Sequence, residues 1–175
     1  MAEVDIRALE DAPATRAMLR GILVETVAAG GSVSFMHPLD EAVADGFWAA
    51  SLAAAGRGER LVLGAWEGEA LVGTVTLLLD LPPNQPHRAE IAKLMVRVAW
   101  RGRGIARALM RAAEDEAAAR RKSLLVLDTA TDGGAKGLYE GLGYRLTGEI
   151  PDFALKPHGG LTGTLIYWKR VGGTG

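Results

Sequence analysis

Six consecutive residues, Arg101-Gly102-Arg103-Gly104-Ile105-Ala106, carry the clearest chemical signal in this chain. They lie between an apolar run, Ala89 to Val96, and a helical stretch from about Ile105 to Arg121. At a strand-to-helix junction the first amides of the helix are free to donate, and the helix dipole favours negative charge. Glycine lets a ligand approach the backbone closely, so such a turn suits phosphate oxygens. Arg101 and Arg103 would meet outer phosphates as long, exposed cations. A tight basic turn ahead of any helix would read the same way, and that reading stands beside the first. Neither common nucleotide loop is present: GxGxxG lacks its third glycine here, and no GxxxxGK is followed by serine or threonine.

The elements that must position this turn are legible around it. Ala89 to Val96, the helix from Ile105 and the buried run Leu124 to Leu127 spell strand, helix, strand, with a connection long enough for a parallel crossover. Val4 to Leu9 alternates as a half-exposed strand, and Asp11 to Val27 has the three-to-four spacing of a helix with one apolar face. A second helix starts near Asp40, which would cap it. Arg60 to Trp66 and Ala70 to Leu79 read as a hairpin around Gly68. Ala135 to Leu142 is helical and stops at Gly143. Tyr144 to Ile150 and Leu161 to Val171 are closing strands, joined by PDFALKPHGG as a loop. The expected architecture is one α/β domain over 1–175, with about seven strands and helices on both faces.

Composition narrows the chemistry further. With no cysteine in 175 residues, disulfides, a thiol nucleophile and thiolate metal sites are excluded. His37, His87 and His158 have no metal-ligand spacing, so no metal is expected. Lysine plus arginine numbers 20 against 21 acids, a net charge of -1 that gives no footing for a nucleic-acid partner. No apolar run is long enough to span a membrane, and the N-terminal stretch does not read as a secretory signal, so a cytoplasmic setting is expected. An apolar edge or the final strand offers itself for pairing in a homodimer.

The stretch LMVRVAWRGRGIARALM resembles the acyl-coenzyme A motif of the GNAT N-acetyltransferases, which runs Arg or Gln, two residues, Gly, one residue, then Gly or Ala. Arg101, Gly104 and Ala106 occupy those places, within a cofactor turn that also takes in Gly102, Arg103 and Ile105. The resemblance implies acetyl-CoA as cosubstrate and a mixed, mostly antiparallel sheet with a parallel, splayed central pair. It also implies that Leu94, Met95 and Val96 pair with the pantetheine arm, and that a backbone amide near Met95 or Val96 stabilises an oxyanion. AKGLYEGLGY is the second mark: Tyr139 matches a tyrosine that protonates the leaving thiolate, although by itself it reads first as a packing aromatic beside Leu138 and Leu142.

ETVAAGGSVSFM, RAEIAKLMV, LLVLDTA, GEIPDFALKPHGGL and TLIYWKR are similar, in order and spacing, to the tabtoxin-resistance acetyltransferases, which act on an antibiotic amino acid lactam. That resemblance implies that Glu90 and Asp128 bind and deprotonate a small-molecule amine. Read alone, Glu90 is equally a solvent-facing strand acid, and Asp128 a cap for the turn after it. Phe35 and Met36 would wall the acceptor site, with Phe153 on the other side. The implied reaction is direct attack of the amine on the thioester in a ternary complex.

Overall fold

The computed structural model describes residues 4–172. In chain order the elements are β1 (Asp5–Ala8), α1 (Pro13–Ala28), α2 (Glu41–Gly56), β2 (Arg60–Glu67), β3 (Ala70–Leu78), β4 (Arg88–Val96), α3 (Ile105–Ala119), β5 (Leu124–Ala130), α4 (Lys136–Gly141), β6 (Arg145–Leu155) and β7 (Leu161–Arg170). The seven strands form one sheet in the order β1-β2-β3-β4-β5-β7-β6. Only β4 and β5 run parallel.

Strand alternation divides the apolar residues between two helix layers. On β2 and β3, Leu63, Val72 and Val75 join the core beneath α3, whose Leu109, Met110 and Ala113 are fully buried. Their neighbours Val62 and Leu71 point the other way, into a second core with Leu19, Ile22 and Leu23 of α1 and Trp48 of α2. Pro13 stands in the first turn of α1, where a missing amide is harmless. Asp40 caps α2, its carboxylate accepting from the amides of Ala42 at 2.7 Å and Val43 at 3.3 Å. No helix among the described residues is long and apolar enough to cross a membrane.

Two irregularities in β4 shape the site. Thr74 of β3 opposes Met95, whereas Thr76 opposes Ala92, so Lys93 and Leu94 together face Val75. This is a β-bulge, and Lys93 takes a left-handed φ of 54° within it. On its other edge β4 pairs with β5 only over Arg88–Glu90 against Leu124–Val126. Beyond Glu90 the two strands part, leaving the β5-facing edge of β4 open from Ile91 onward.

β6 departs from the sequence reading. The segment from Pro151 to Leu155 continues the strand past Ile150, and only Lys156–Gly160 forms the connection. β6 is the sheet edge, where proline's missing amide costs little, and the register shift between Ile150 and Ala154 absorbs Asp152 at φ 51°.

Gly73 shows how tightly β3 meets the α3 layer. A Cβ there would stand 3.0 Å from the Met95 carbonyl oxygen and 3.1 Å from Leu109 Cδ1. Gly73→Ala is expected to destabilise the fold by about 1–3 kcal/mol, the usual range for overpacking. Denaturant melts would read this as a lower midpoint with an unchanged slope.

Candidate active site

The parting of β4 and β5 opens a cleft of about 920 Å³ between the two helix layers. One end is lined by the turn Arg101, Gly102, Gly104, Ile105 and Ala106. Gly102 and Gly104 adopt φ of 75° and 81°, which lets the chain double back into α3. Gly104 is the N-cap and has no side chain to satisfy the helix, and the first helical bond is Ala108 N–H to Gly104 C=O at 3.0 Å. The amides ahead of Ala108 are therefore free to donate into the cleft. Arg101 is steadied by its Nε donating to the Val96 carbonyl at 3.2 Å. Arg103 does not line the cleft; it lies 3.9 Å from Glu67 and over the Trp100 ring. A diphosphate fits this turn: free amides, a positive helix end and the cleft-lining Arg101 stand together there.

Leu94, Met95 and Val96 form the open strand wall next to that turn. Replacing Gly104 with alanine would force a side chain into the left-handed region while meeting no atom within 4 Å, so the penalty is purely backbone strain. We expect Gly104→Ala to weaken acetyl-CoA about tenfold, read by calorimetric titration, with only a few degrees lost in Tm.

Tyr139 and Asp128 enter the cleft from opposite faces of the sheet. Tyr139 reaches it from α4, 6% exposed, its ring held between Tyr144 and Tyr167 at centroid distances of 6.0 and 5.8 Å. Burial first, and then the nearby charge of Asp128, push its phenol up to about 12, partly offset by the Thr129 hydroxyl. Asp128 is exposed, with its carboxylate accepting from Thr164 Oγ1 at 3.0 Å. It also borders a smaller pocket of about 120 Å³ that opens beside the main cleft, where Phe153 contributes to the wall.

The remaining candidates are placed elsewhere. Glu90 stands at the vertex where β4 and β5 part, outside the cleft lining, and pairs with Arg88 at 2.6 Å. Phe35 packs edge-on against Phe47 at 5.3 Å, and Met36 is exposed; neither lines the cleft. His37 and His158, distant in sequence, lie against each other with tilted rings and centroids 4.5 Å apart, and His158 Nε2 lies 2.9 Å from the Ala28 carbonyl oxygen. Their contact joins the α1–α2 loop to the β6–β7 loop. Among the described residues no group of three or more His, Asp or Glu is placed to hold a metal.

Lys93 is a site residue that the sequence did not single out. The bulge turns it into the cleft, where its ammonium donates to Ser34 Oγ at 3.1 Å and lies 5.7 Å from the Phe47 ring. Burial pulls its pKa below the ordinary lysine value, against the opposing pull of Asp128.

A family model for the acetyltransferase (GNAT) family matches residues 31–144, well over half of the chain. The chain belongs to this family, and its class is that of acyl-CoA-dependent N-acetyltransferases. Among solved structures it is similar to an N-acetyltransferase from Staphylococcus aureus Mu50, with a TM-score of 0.80 and 17% identity over 96% of this chain and 98% of that one. A ribosomal-protein-alanine N-acetyltransferase from Brucella melitensis matches with a TM-score of 0.80 and 20% identity, over 95% and 99% of the two chains. So does yncA from Salmonella typhimurium, solved with its cofactor acetyl-CoA, at 0.75 and 18% identity over 96% and 94%.

Proposed function

We propose that this protein moves the acetyl group of acetyl-CoA directly onto the primary amine of a small molecule, in the cytoplasm and without an acyl-enzyme. The observation that carries this reading is the meeting of Tyr139 and Asp128 in one cleft whose far end is a glycine-rich helix N-terminus suited to phosphate. The pocket beside Asp128, about 120 Å³, suits a small acceptor, and the net charge of -1 favours that over a nucleic acid. The resemblance to the tabtoxin-resistance acetyltransferases makes an amino-acid-like antibiotic one acceptor to test.

Bound acetyl-CoA would supply a thioester carbonyl and a sulfur leaving group. The helix terminus and Arg101 hold its diphosphate, and the open edge of β4 aligns the arm, so the reacting atoms meet without further search. Asp128 draws in the cationic amine, which sheds one proton to water so that its lone pair can form the N–C bond, and Asp128 takes the second proton from the nitrogen, which becomes acidic as that bond forms. Tyr139 stabilises the electron pair that stays on sulfur as the C–S bond breaks. A phenol at about 12 does this as a hydrogen-bond donor. A thiolate is a weaker base than the phenolate Tyr139 would become, so the proton stays on the phenol and the sulfur takes one from water after release.

The test is acetyl-CoA turnover across a panel of amino acids, polyamines, aminoglycosides and peptide N-termini. Thiol release would be followed optically and products identified by mass spectrometry. Stoichiometric thiol and N-acetyl product from a small amine supports the reading. Acetyl-CoA binding with no product from any amine would make this an idle acyl-CoA-binding domain, and a peptide-only product would place the acceptor among proteins.

A further inference from the structure

Charge pairing on the acceptor side of the cleft is incomplete in one particular way. Lys156 and Asp132, both on the rim, satisfy each other at 3.5 Å, and Asp132 also accepts from Thr162 at 2.8 Å. Lys93 and Asp128 are the two charged groups left over. Neither joins an ion pair among the described residues, although the Asp128 charge reaches Lys93 and opposes part of what burial does to it. A half-buried ammonium without a counter-ion is costly, because one neutral hydroxyl and the face of the Phe47 ring repay only part of its lost hydration. Its backbone is strained too: Lys93 at φ 54° meets Ser34 at φ 76°, so two of the non-glycine residues with positive φ touch across this site. Strain of that kind persists where the surrounding fold enforces it, and it clusters at ligand clamps.

We propose that Lys93 is the counter-ion for a carboxylate on the acceptor, so that the acceptor class is an amine bearing a carboxylate a few bonds away. Asp128 holds the ammonium end, and Lys93, supported by Ser34, holds the carboxylate end. The dipolar ligand completes both charges at once, and an uncharged amide or a simple alkylamine leaves Lys93 unpaired. Discrimination therefore comes from a desolvated charge that only the right substrate satisfies. Burial holds the Lys93 pKa down, and a carboxylate beside it would raise it again by favouring the charged form. The inference rests on the acetyl-transfer reading and adds to it a substrate class and a residue.

The experiment has two arms and an independent control. In the first, kcat/KM is measured for the standard L-amino acids, β-alanine and 4-aminobutyrate, each against its amide and its decarboxylated amine. In the second, CoA-loaded protein is titrated calorimetrically with the same compounds, which reads recognition without turnover. The expected result is at least a tenfold preference for the carboxylate over its amide in both arms. Lys93→Met should collapse that ratio toward one, chiefly through KM, and Lys93→Arg should restore it. Equal use of acid and amide, a preference retained in Lys93→Met, or no reaction with any amino acid overturns the proposal. So does a Lys93→Met variant that loses kcat and its pH dependence while keeping the preference, since that describes a base. Acetyl-CoA titration of the wild type is the control. Binding there while the preference fails sinks only this inference, and no binding sinks the acetyl-transfer reading along with it.

Discussion

Tyr139→Phe is expected to lower kcat by about a hundredfold while leaving acetyl-CoA affinity within a few-fold of wild type. Hydrogen-bond donors aimed at developing charge contribute about 10² to 10³ in rate, and this one acts only when charge appears on sulfur. Phenylalanine keeps the ring between Tyr144 and Tyr167, so packing survives the change. Stability supplies a second readout. The folded protein keeps the phenol proton up to about 12, whereas an unfolded chain loses it near the ordinary tyrosine value of 10.0. Between those values the folded state binds more protons, so stability falls as pH rises, by at most about 1.4 kcal/mol per pH unit from this group. Tyr144 is also pushed up, by burial and then Glu114, so Tyr139→Phe should reduce the alkaline slope without removing it. Unchanged turnover in the variant would remove Tyr139 from the reaction.

Asp128→Asn is the second large effect, with kcat/KM for the amine expected to fall about a hundredfold. Asparagine still accepts a hydrogen bond from Thr164, so the site keeps its shape and loses only charge and basicity. Loss of that charge also releases one cause of the raised Tyr139 value, so the phenol should titrate lower, which absorbance near 295 nm would follow. Steady-state rates over pH would show the neutral-to-alkaline dependence altered in the variant. An unchanged profile and an unchanged KM would exclude Asp128 both as base and as binder of the amine.

Much of this arrangement was legible in the residues because it is local. The strand, helix and strand over 89–128 have strong periodicity, and the turn Arg101 to Ala106 names its own chemistry through glycine and arginine. The splay was available only through resemblance, since nothing in LLVLDTA announces that pairing with β4 ends after Val126. The bulge at Lys93 had no local signal at all: lysine rarely adopts positive φ, and the conformation is imposed by β3 pairing on either side. The pairing of Glu90 with Arg88 follows from alternation, since residues two apart share a strand face. The contact of His37 with His158 is set by the fold across more than a hundred residues, and sequence spacing is blind to it.

A calorimetric titration with acetyl-CoA, repeated on Arg101→Glu and in the presence of ADP, tests the central claim most directly. The account predicts one saturable site per chain, weakened at least tenfold by the charge reversal and competed by ADP at the α3 terminus. Absence of binding to folded, monodisperse protein, or binding indifferent to both Arg101 and ADP, would contradict it.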